Sequence, residues 1–440
     1  DGGDTMTDNV IDLVDQAAFL GEQATGATSI IQTVWTYDRA VDIAGLRRFH
    51  RHLSRGRLSR RIKRSPLPFG RHRWISPGRA SLLEIARPLP RSEFDTWLRE
   101  QAETPLDVQR GPGWHLAVLP FTDGGTGISL VTSHTLTDGG GLTLALTAAV
   151  AGRDDEIQWE RSRSTALADL RQFLRDLPGI GRAAVAAVRL TRRTARTTAG
   201  VLPGGDGPVT IPMTSASIDL PQWDARAREL GGTSNSLLIG VATRLAQRLG
   251  RVGSDGTVDL TMPVDDRKPG DTRANAITNV DFMIRPPDPT DLSGVRAAVK
   301  QALIRHRDVP NERWTLLPLA PLLPKWLVRR MVGASVGSPT SVVSSNLGDL
   351  DPAVTRPDGT RAASFTIRTL GPGLTASTLN RFGGMLVVAS GRVAGRIFIS
   401  VLSYQPGAVN TDEALCEHLS GALHDFALAP TTVSTMRRTA

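Results

Sequence analysis

His134 and Asp138, four residues apart in Ser133-His134-Thr135-Leu136-Thr137-Asp138-Gly139, are the residues whose types and spacing best fit catalysis in this chain. An imidazole titrates near neutrality, so it can accept a proton from an attacking hydroxyl or amine at physiological pH. A positioned base of this kind contributes about 10²- to 10⁴-fold in rate. Asp138 could orient that ring, or it could pair with an arginine and lock the loop that carries it. A lone histidine after a strand is more often structural than catalytic, and the other seven (His50, His52, His72, His115, His306, His418 and His424) are read that way. His50 and His52 have no carboxylate at a metal-pair spacing, and His418 and His424 fall on an outward helix pattern.

What separates His134 from these is its position. Strand patterns over 115–121 and 127–132 flank Thr122-Asp123-Gly124-Gly125-Thr126, a hairpin turn whose Asp-Gly pair permits positive φ. The second strand ends at Ser133-His134, and a helical pattern resumes over Gly139 to Val150. A histidine between a strand end and a helix start sits on rigid scaffold beside free backbone amides. Upstream, the pattern predicts a strand at 30–37, a helix at 43–53, a basic loop at 54–73 and a helix from Pro90 to Glu103. Downstream it predicts helices at 234–249, 292–306 and 412–426, and strands at 258–264, 277–284, 341–345 and 363–369. A hairpin is expected over 385–390 and 397–404. Strands and helices mix without strict βαβ alternation or a fixed repeat, which favours a mixed α+β fold. The expected organisation is an N-terminal lobe at 1–155, a crossover with a basic helix at 156–207 and a C-terminal lobe at 208–440.

The composition sets the bounds. With 440 residues, 40% hydrophobic and 22% charged, the chain is long enough for two cores of ordinary domain size. Cys416 is the only cysteine, which excludes an intramolecular disulfide, cysteine-pair redox chemistry and a multi-cysteine metal site. No metal ligand set is expected. The chain has no long uninterrupted apolar run, and its start lacks a signal-peptide pattern, so the expected location is cytoplasmic. The net charge of +9 comes almost wholly from arginine, with lysine only at Lys63, Lys268, Lys300 and Lys325. That bias suggests a GC-rich coding source, and the positive field favours anionic partners. Nucleic acid is disfavoured, because aromatics make up only 5% of the chain and no zinc-finger or RNP module is visible.

The segment around His134 resembles the His-His-x-x-x-Asp-Gly motif of the condensation-domain and chloramphenicol-acetyltransferase-like superfamily. Ser133 stands where the family has its first histidine, and His134 matches the second, its base. Pro105-Leu106-Asp107 with Gly111-Pro112-Gly113-Trp114-His115-Leu116 is similar to the family segment entering the hairpin. Met262-Pro263-Val264-Asp265-Asp266-Arg267, followed by Asn275 and Asn279, resembles the strand ending Pro-Val-x-x-Arg and the next, asparagine-containing strand. Ser345-Asn346-Leu347-Gly348 resembles the Ser-Asn segment of wax-ester and diacylglycerol acyltransferases and of related alcohol acyltransferases, and within the superfamily the chain most resembles the actinobacterial wax ester synthase/diacylglycerol acyltransferase-like and polyketide-associated acyltransferases. The resemblance implies two chloramphenicol-acetyltransferase-like lobes forming a pseudo-dimer around a central tunnel, with His134 at its midpoint. It also implies acyl transfer from a thioester without a covalent acyl-enzyme. Gly139 N–H and the side chains of Ser345 or Asn346 are the candidate oxyanion donors, with Ser133 a further substrate-side residue. In the superfamily the motif carboxylate is structural and arginine-paired, and Arg267 is the expected partner of Asp138.

Acyl-CoA is the expected donor, and an alcohol or lipid the expected acceptor. Arginine suits the phosphates of coenzyme A, yet no Gly-rich nucleotide loop is present to place them, and Gly139 to Gly141 fit a tight turn better than a phosphate cradle. An acyl carrier protein is an alternative donor, since a basic surface attracts an acidic carrier. No cofactor beyond the thioester substrate is expected. Two segments are open either to peripheral contact with the inner membrane face or to a solvated crossover helix and a stretch packed between the lobes. Gly181 to Thr198 puts Arg182, Arg189, Arg193 and Arg196 on one helical face, and Trp314 to Val332 is Leu-rich but broken by Pro318, Pro321 and Pro324.

Overall fold

The computed structural model describes residues 9–76, 81–154, 157, 166–194, 205, 207–308, 315–328 and 340–434. In chain order the first half contains α1 (Leu13–Thr25), β1 (Ile30–Tyr37), α2 (Ile43–Leu53), β2 (Arg61–Lys63), β3 (Arg73–Ile75), β4 (Leu83–Ile85) and α3 (Phe94–Ala102). It continues with β5 (Trp114–Pro120), β6 (Thr126–Ser133), α4 (Gly139–Val150) and the crossover helix α5 (Ala166–Thr194). The second half contains β7 (Met213–Asp219), α6 (Leu220–Glu229), α7 (Ser234–Arg248), β8 (Val258–Asp265), β9 (Ile277–Ile284) and α8 (Ser293–Asp308). Then follow β10 (Ser341–Asp349), β11 (Ser364–Leu370), α9 (Ala376–Arg381), β12 (Met385–Val393), β13 (Arg396–Tyr404), α10 (Asp412–Asp425) and β14 (Thr432–Ser434). The mixed α+β class is as the sequence implies.

Two large sheets carry this architecture. One has five strands in the order β11-β1-β6-β5-β4, and the other seven in the order β14-β7-β13-β12-β10-β8-β9. β6 lies between β1 and β5, with Ser133 opposite Ile30 and Thr132 opposite Trp114, and every residue of it is buried. Both faces of this strand are covered, with the larger Ile128 and Leu130 on one and the smaller Ser129, Val131 and Ser133 on the other. α2 and α4 cover one face of this sheet, where Trp35, Phe49, Trp114, Leu130 and Leu146 form a single core. α7 and α10 cover the larger sheet, over Trp223, Leu238, Val241, Ile399 and Phe426.

The two sheets are joined by β11. This strand belongs to the 208–440 stretch, yet it pairs antiparallel with β1, Phe365 opposite Trp35 and Ile367 opposite Thr33. On its other side Ser400 Oγ of β13 donates to the Ile367 carbonyl at 2.8 Å. The second half therefore supplies an edge strand to the first half's sheet.

Other differences from the sequence patterns have local causes. α1 is absent from the sequence reading because its buried face carries Asp15 and Gln16, which interrupt the apolar stripe that would reveal it. Asp12 caps this helix, accepting from Val14 N at 2.9 Å, and Gly26 closes it at φ 72°. The basic segment expected to be loop holds β2, which pairs with β3 in a strand too short to show alternation. Of the two membrane-suggestive segments, 195–198, 314 and 329–332 lie outside the described residues. The proline-rich part forms a short 3-10 turn at Leu317–Leu322, packed against α1 and α5. Among the described residues no helix is long and apolar enough to cross a membrane.

Candidate active site

His134 is the first residue past the buried end of β6. Its amide donates to the Ser29 carbonyl at 2.9 Å, continuing the ladder beside β1 for one more residue. The chain then turns: Leu136 N donates to Ser133 O at 3.0 Å, and Thr135 N donates to Ser133 Oγ at 3.2 Å. Ser133, buried at 5% exposure, thus uses its hydroxyl oxygen to close this turn. The turn also packs on Gly113, where an added Cβ would stand 2.2 Å from Leu136 Cδ1. Glu22 braces the same place, its Oε1 accepting from Ser29 N at 3.1 Å. Burial pushes the Glu22 carboxyl above its usual range, opposed by the Ser29 amide, the Thr135 hydroxyl and the His134 ring.

Asp138 begins α4 as its N-cap, with Oδ1 accepting from Gly141 N at 2.7 Å. Arg267 Nη2 donates to both of its oxygens at 2.8 Å, and Ala276 N donates to Oδ2 at 2.7 Å. The pair is nearly sealed, with side-chain exposures of 3% for Asp138 and 7% for Arg267. Every recorded partner of this carboxylate is Arg267 or a backbone amide, and none is the His134 ring. Of the two roles the sequence left open to Asp138, the structure draws the arginine pairing.

Arg267 sits on the loop between β8 and β9, which crosses from the larger sheet to the motif. Asp266 N donates to Ala276 O at 2.8 Å and closes the base of that loop. Arg267 Nη1 donates to Arg273 O at 3.0 Å, and Asp138 N donates to Ala274 O at 3.0 Å. Arg60, fully desolvated, reaches the Leu136 and Thr272 carbonyls and so ties the histidine turn to the same loop. Burial holds its guanidinium down at about 10.

The loop also supplies Asn275, whose role nothing in the local sequence revealed beyond its place after the Pro-Val-x-x-Arg strand. Asn275 Oδ1 lies 2.9 Å from His134 Nδ1, and its Nδ2 donates to the His134 carbonyl at 3.1 Å. The same Nδ2 donates to Asp15 Oδ1 at 3.0 Å. A carbonyl can only accept, so the Nδ2 face of the amide is fixed and Oδ1 must accept from His134 Nδ1–H. In the neutral ring the proton therefore sits on Nδ1, which leaves the lone pair on Nε2. That is the form a general base requires.

The three glycines after Asp138 form the first turn of α4; the tight turn after His134 is made by residues 134–136. They allow close approach. A Cβ on Gly139 would stand 2.5 Å from Leu347 Cδ2, and one on Gly141 would stand 2.5 Å from Thr137 Oγ1 and 3.3 Å from Arg267 Nη2. The Gly139 amide, first in the helix, has no intrahelical acceptor. Leu347 brings the end of β10 to the motif. On that strand Asn346 Nδ2 donates to Asn235 Oδ1 at 3.1 Å and its Oδ1 accepts from Gly348 N at 2.9 Å. Ser345 is half-buried, opposite Ala389 of β12, and no recorded contact joins Ser345 or Asn346 to His134 among the described residues. Among those residues no group of three or more His, Cys, Asp or Glu side chains could hold a metal ion.

The fold that carries this site is that of two-lobed condensation domains. The chain is similar to the first condensation domain of the calcium-dependent antibiotic synthetase, with a TM-score of 0.60 and 15% identity over 96% of each chain. The starter condensation domain of rhizomide synthetase, solved in complex with C8-CoA, matches 96% of this chain with 95% of its own, at TM-score 0.55 and 14% identity. Polyketide synthase associated protein 5 from Mycobacterium tuberculosis matches 94% of this chain with 97% of its own, at TM-score 0.55 and 14% identity. The nonribosomal peptide synthetase FmoA3 matches 97% of this chain at 19% identity, and the chain spans 43% of that protein's length. No protein-family model matches the sequence, and no curated protein matches it.

Proposed function

We propose that the protein is an acyltransferase that moves an acyl group from a thioester donor, acyl-CoA, to the hydroxyl of a hydrophobic or lipid acceptor. The observation that carries this reading is the His134 ring, whose Nδ1–H is given to Asn275 at 2.9 Å so that Nε2 is the free base. The acceptor hydroxyl gives its proton to Nε2 as its oxygen attacks the thioester carbonyl. The tetrahedral oxyanion then collapses, the C–S bond breaks, and Nε2–H returns the proton to the leaving thiolate. The acyl group passes directly from donor to acceptor and only the proton passes through His134, so the step calls for no cofactor and no covalent acyl-enzyme. The Gly139 amide is the proposed oxyanion donor, with Ser345 or Asn346 as the second; one such donor contributes about 3 to 4 kcal/mol. Ser133 holds the turn that presents the ring.

Peripheral attachment at a membrane would deliver a lipid acceptor. The exposed Leu167, Leu170, Leu174 and Leu177 of α5, together with Trp326, support it. The test is thiol release from medium- and long-chain acyl-CoA with a long-chain alcohol, comparing the unaltered protein with His134→Ala. A loss of about 10²- to 10⁴-fold is expected. Equal release from the two would overturn the assignment and favour a non-catalytic scaffold. The condensation domains among the similar structures favour a second reading, in which the donor is a carrier-bound thioester and the product an amide or ester. Release from an acyl-carrier thioester but not from acyl-CoA would select it.

A further inference from the structure

We infer that Asp15 is a positioning residue for His134, acting through Asn275. Asp15 lies on α1 and is 0% exposed, on a helix the acyl-transfer step itself does not use. Its Oδ2 accepts from Ala274 N at 2.8 Å, and its Oδ1 accepts from Asn275 N at 2.8 Å and Asn275 Nδ2 at 3.0 Å. One carboxylate therefore fixes both the backbone and the side-chain amide of the residue that meets the imidazole.

The Asn275 amide has one oxygen and one nitrogen to place. With its two N–H bonds directed at Asp15 and at the His134 carbonyl, the oxygen is turned onto His134 Nδ1. A flipped amide would instead present N–H to Nδ1, force the proton onto Nε2 and leave no base on the substrate side. Asp15 disfavours that flip because an ionised carboxylate only accepts. It also anchors the start of α1 against the loop that carries Arg267. The tautomer of a histidine just past β6 is thus set by α1 and the loop between β8 and β9.

This rests on the acyltransfer reading only for what Nε2 does; the tautomer is observable without substrate. The experiment is ¹⁵N NMR of protein labelled at histidine, with the His134 signals assigned by comparison with His134→Ala. The unaltered protein is expected to show His134 protonated at Nδ1 and free at Nε2. Asp15→Asn and Asn275→Ala are each expected to populate the Nε2–H form. Each should also lower kcat for thioester release about tenfold, the size of one lost hydrogen bond, with KM unchanged. In the Asn275→Ala background, Asp15→Asn should leave the tautomer populations where they already are. A folded Asp15→Asn protein that keeps the original tautomer and kcat overturns the inference, even if it melts earlier. If Asp15→Asn does not fold, Asn275→Ala decides: an unchanged tautomer there overturns it equally. If His134→Ala proves as active as the unaltered protein, the function fails while the tautomer result stands.

Discussion

Asp138 and Arg267, 129 positions apart in sequence, form a doubly hydrogen-bonded pair at 2.8 Å that closes the β8–β9 loop over the histidine turn. Both are almost fully buried, and backbone groups add to the pair: Gly141 N and Ala276 N donate to the carboxylate, and the guanidinium donates to Arg273 O and Ala274 O. A buried pair of this kind need not stabilise the fold more than apolar residues would, but losing one member leaves a buried charge alone. Asp138→Asn should therefore lower the unfolding free energy by about 3 to 5 kcal/mol, read by chemical denaturation, and lower turnover with it. Lost turnover with unchanged stability would point instead to direct action on the ring.

Arg267→Lys tests geometry at constant charge. Lysine offers a point charge where arginine spans Asp138 and two carbonyls at once, so the loop should lose its fit to the motif. A cost of about 1 to 3 kcal/mol in stability is expected, since at least one buried acceptor loses its donor. A lysine variant as stable as the parent in denaturant would show that charge alone suffices.

At Gly139 the start of α4 packs against Leu347 of β10. A Cβ there would stand 2.5 Å from Leu347 Cδ2, so Gly139→Ala should push Leu347, and the Ser345-Asn346 segment before it, away from the motif. Overpacking of this order costs about 1 to 3 kcal/mol. The double variant Gly139→Ala with Leu347→Ala should recover part of that cost relative to the sum of the single changes. Strict additivity in denaturation would mean the two residues do not press on each other.

How much of this site could be read beforehand follows from how each part is encoded. β6, its hairpin and α4 announce themselves locally, through the alternation of Ile128 to Thr132, the Asp-Gly turn and the three glycines after Asp138. β11 looks like any other strand, and nothing within Ser364 to Leu370 says that its partner is β1, more than three hundred positions earlier. Long-range pairing is decided by which apolar faces remain to be covered, and a single sequence does not display that. The role of Asn275, and Asp15 altogether, stayed hidden for a related reason. A polar residue that acts by orienting another leaves no periodicity, and Asp15 even masks the apolar face of α1 on which it lies. The structural arginine partner was reachable only through the resemblance, since spacing alone left Asp138 free to face either the ring or a guanidinium.

Asp15 also predicts a pH dependence whose sign opposes that of Asp358 and Asp425. Burial outweighs the nearby Arg60 charge and the amides of Ala274 and Asn275, and pushes its carboxyl up from 3.8 to about 6. The folded state then binds the proton more tightly than the unfolded chain. The contribution of this group to stability is largest below about pH 4, declines as pH rises through the window from 3.8 to about 6, and is flat above it. A shift of this size corresponds to roughly 3 kcal/mol. Asp358 and Asp425, whose carboxyls are held below the usual range by amides and arginines, contribute in the other direction, losing stability as pH falls. The Asp15 part is therefore isolated as a difference between the unaltered protein and Asp15→Asn, each unfolded in denaturant at about pH 4.5 and pH 7. The stability advantage of the aspartate should shrink between the two pH values. A constant or growing advantage would mean that Asp15 is charged throughout, and that Arg60 and the amides, rather than burial, set its state.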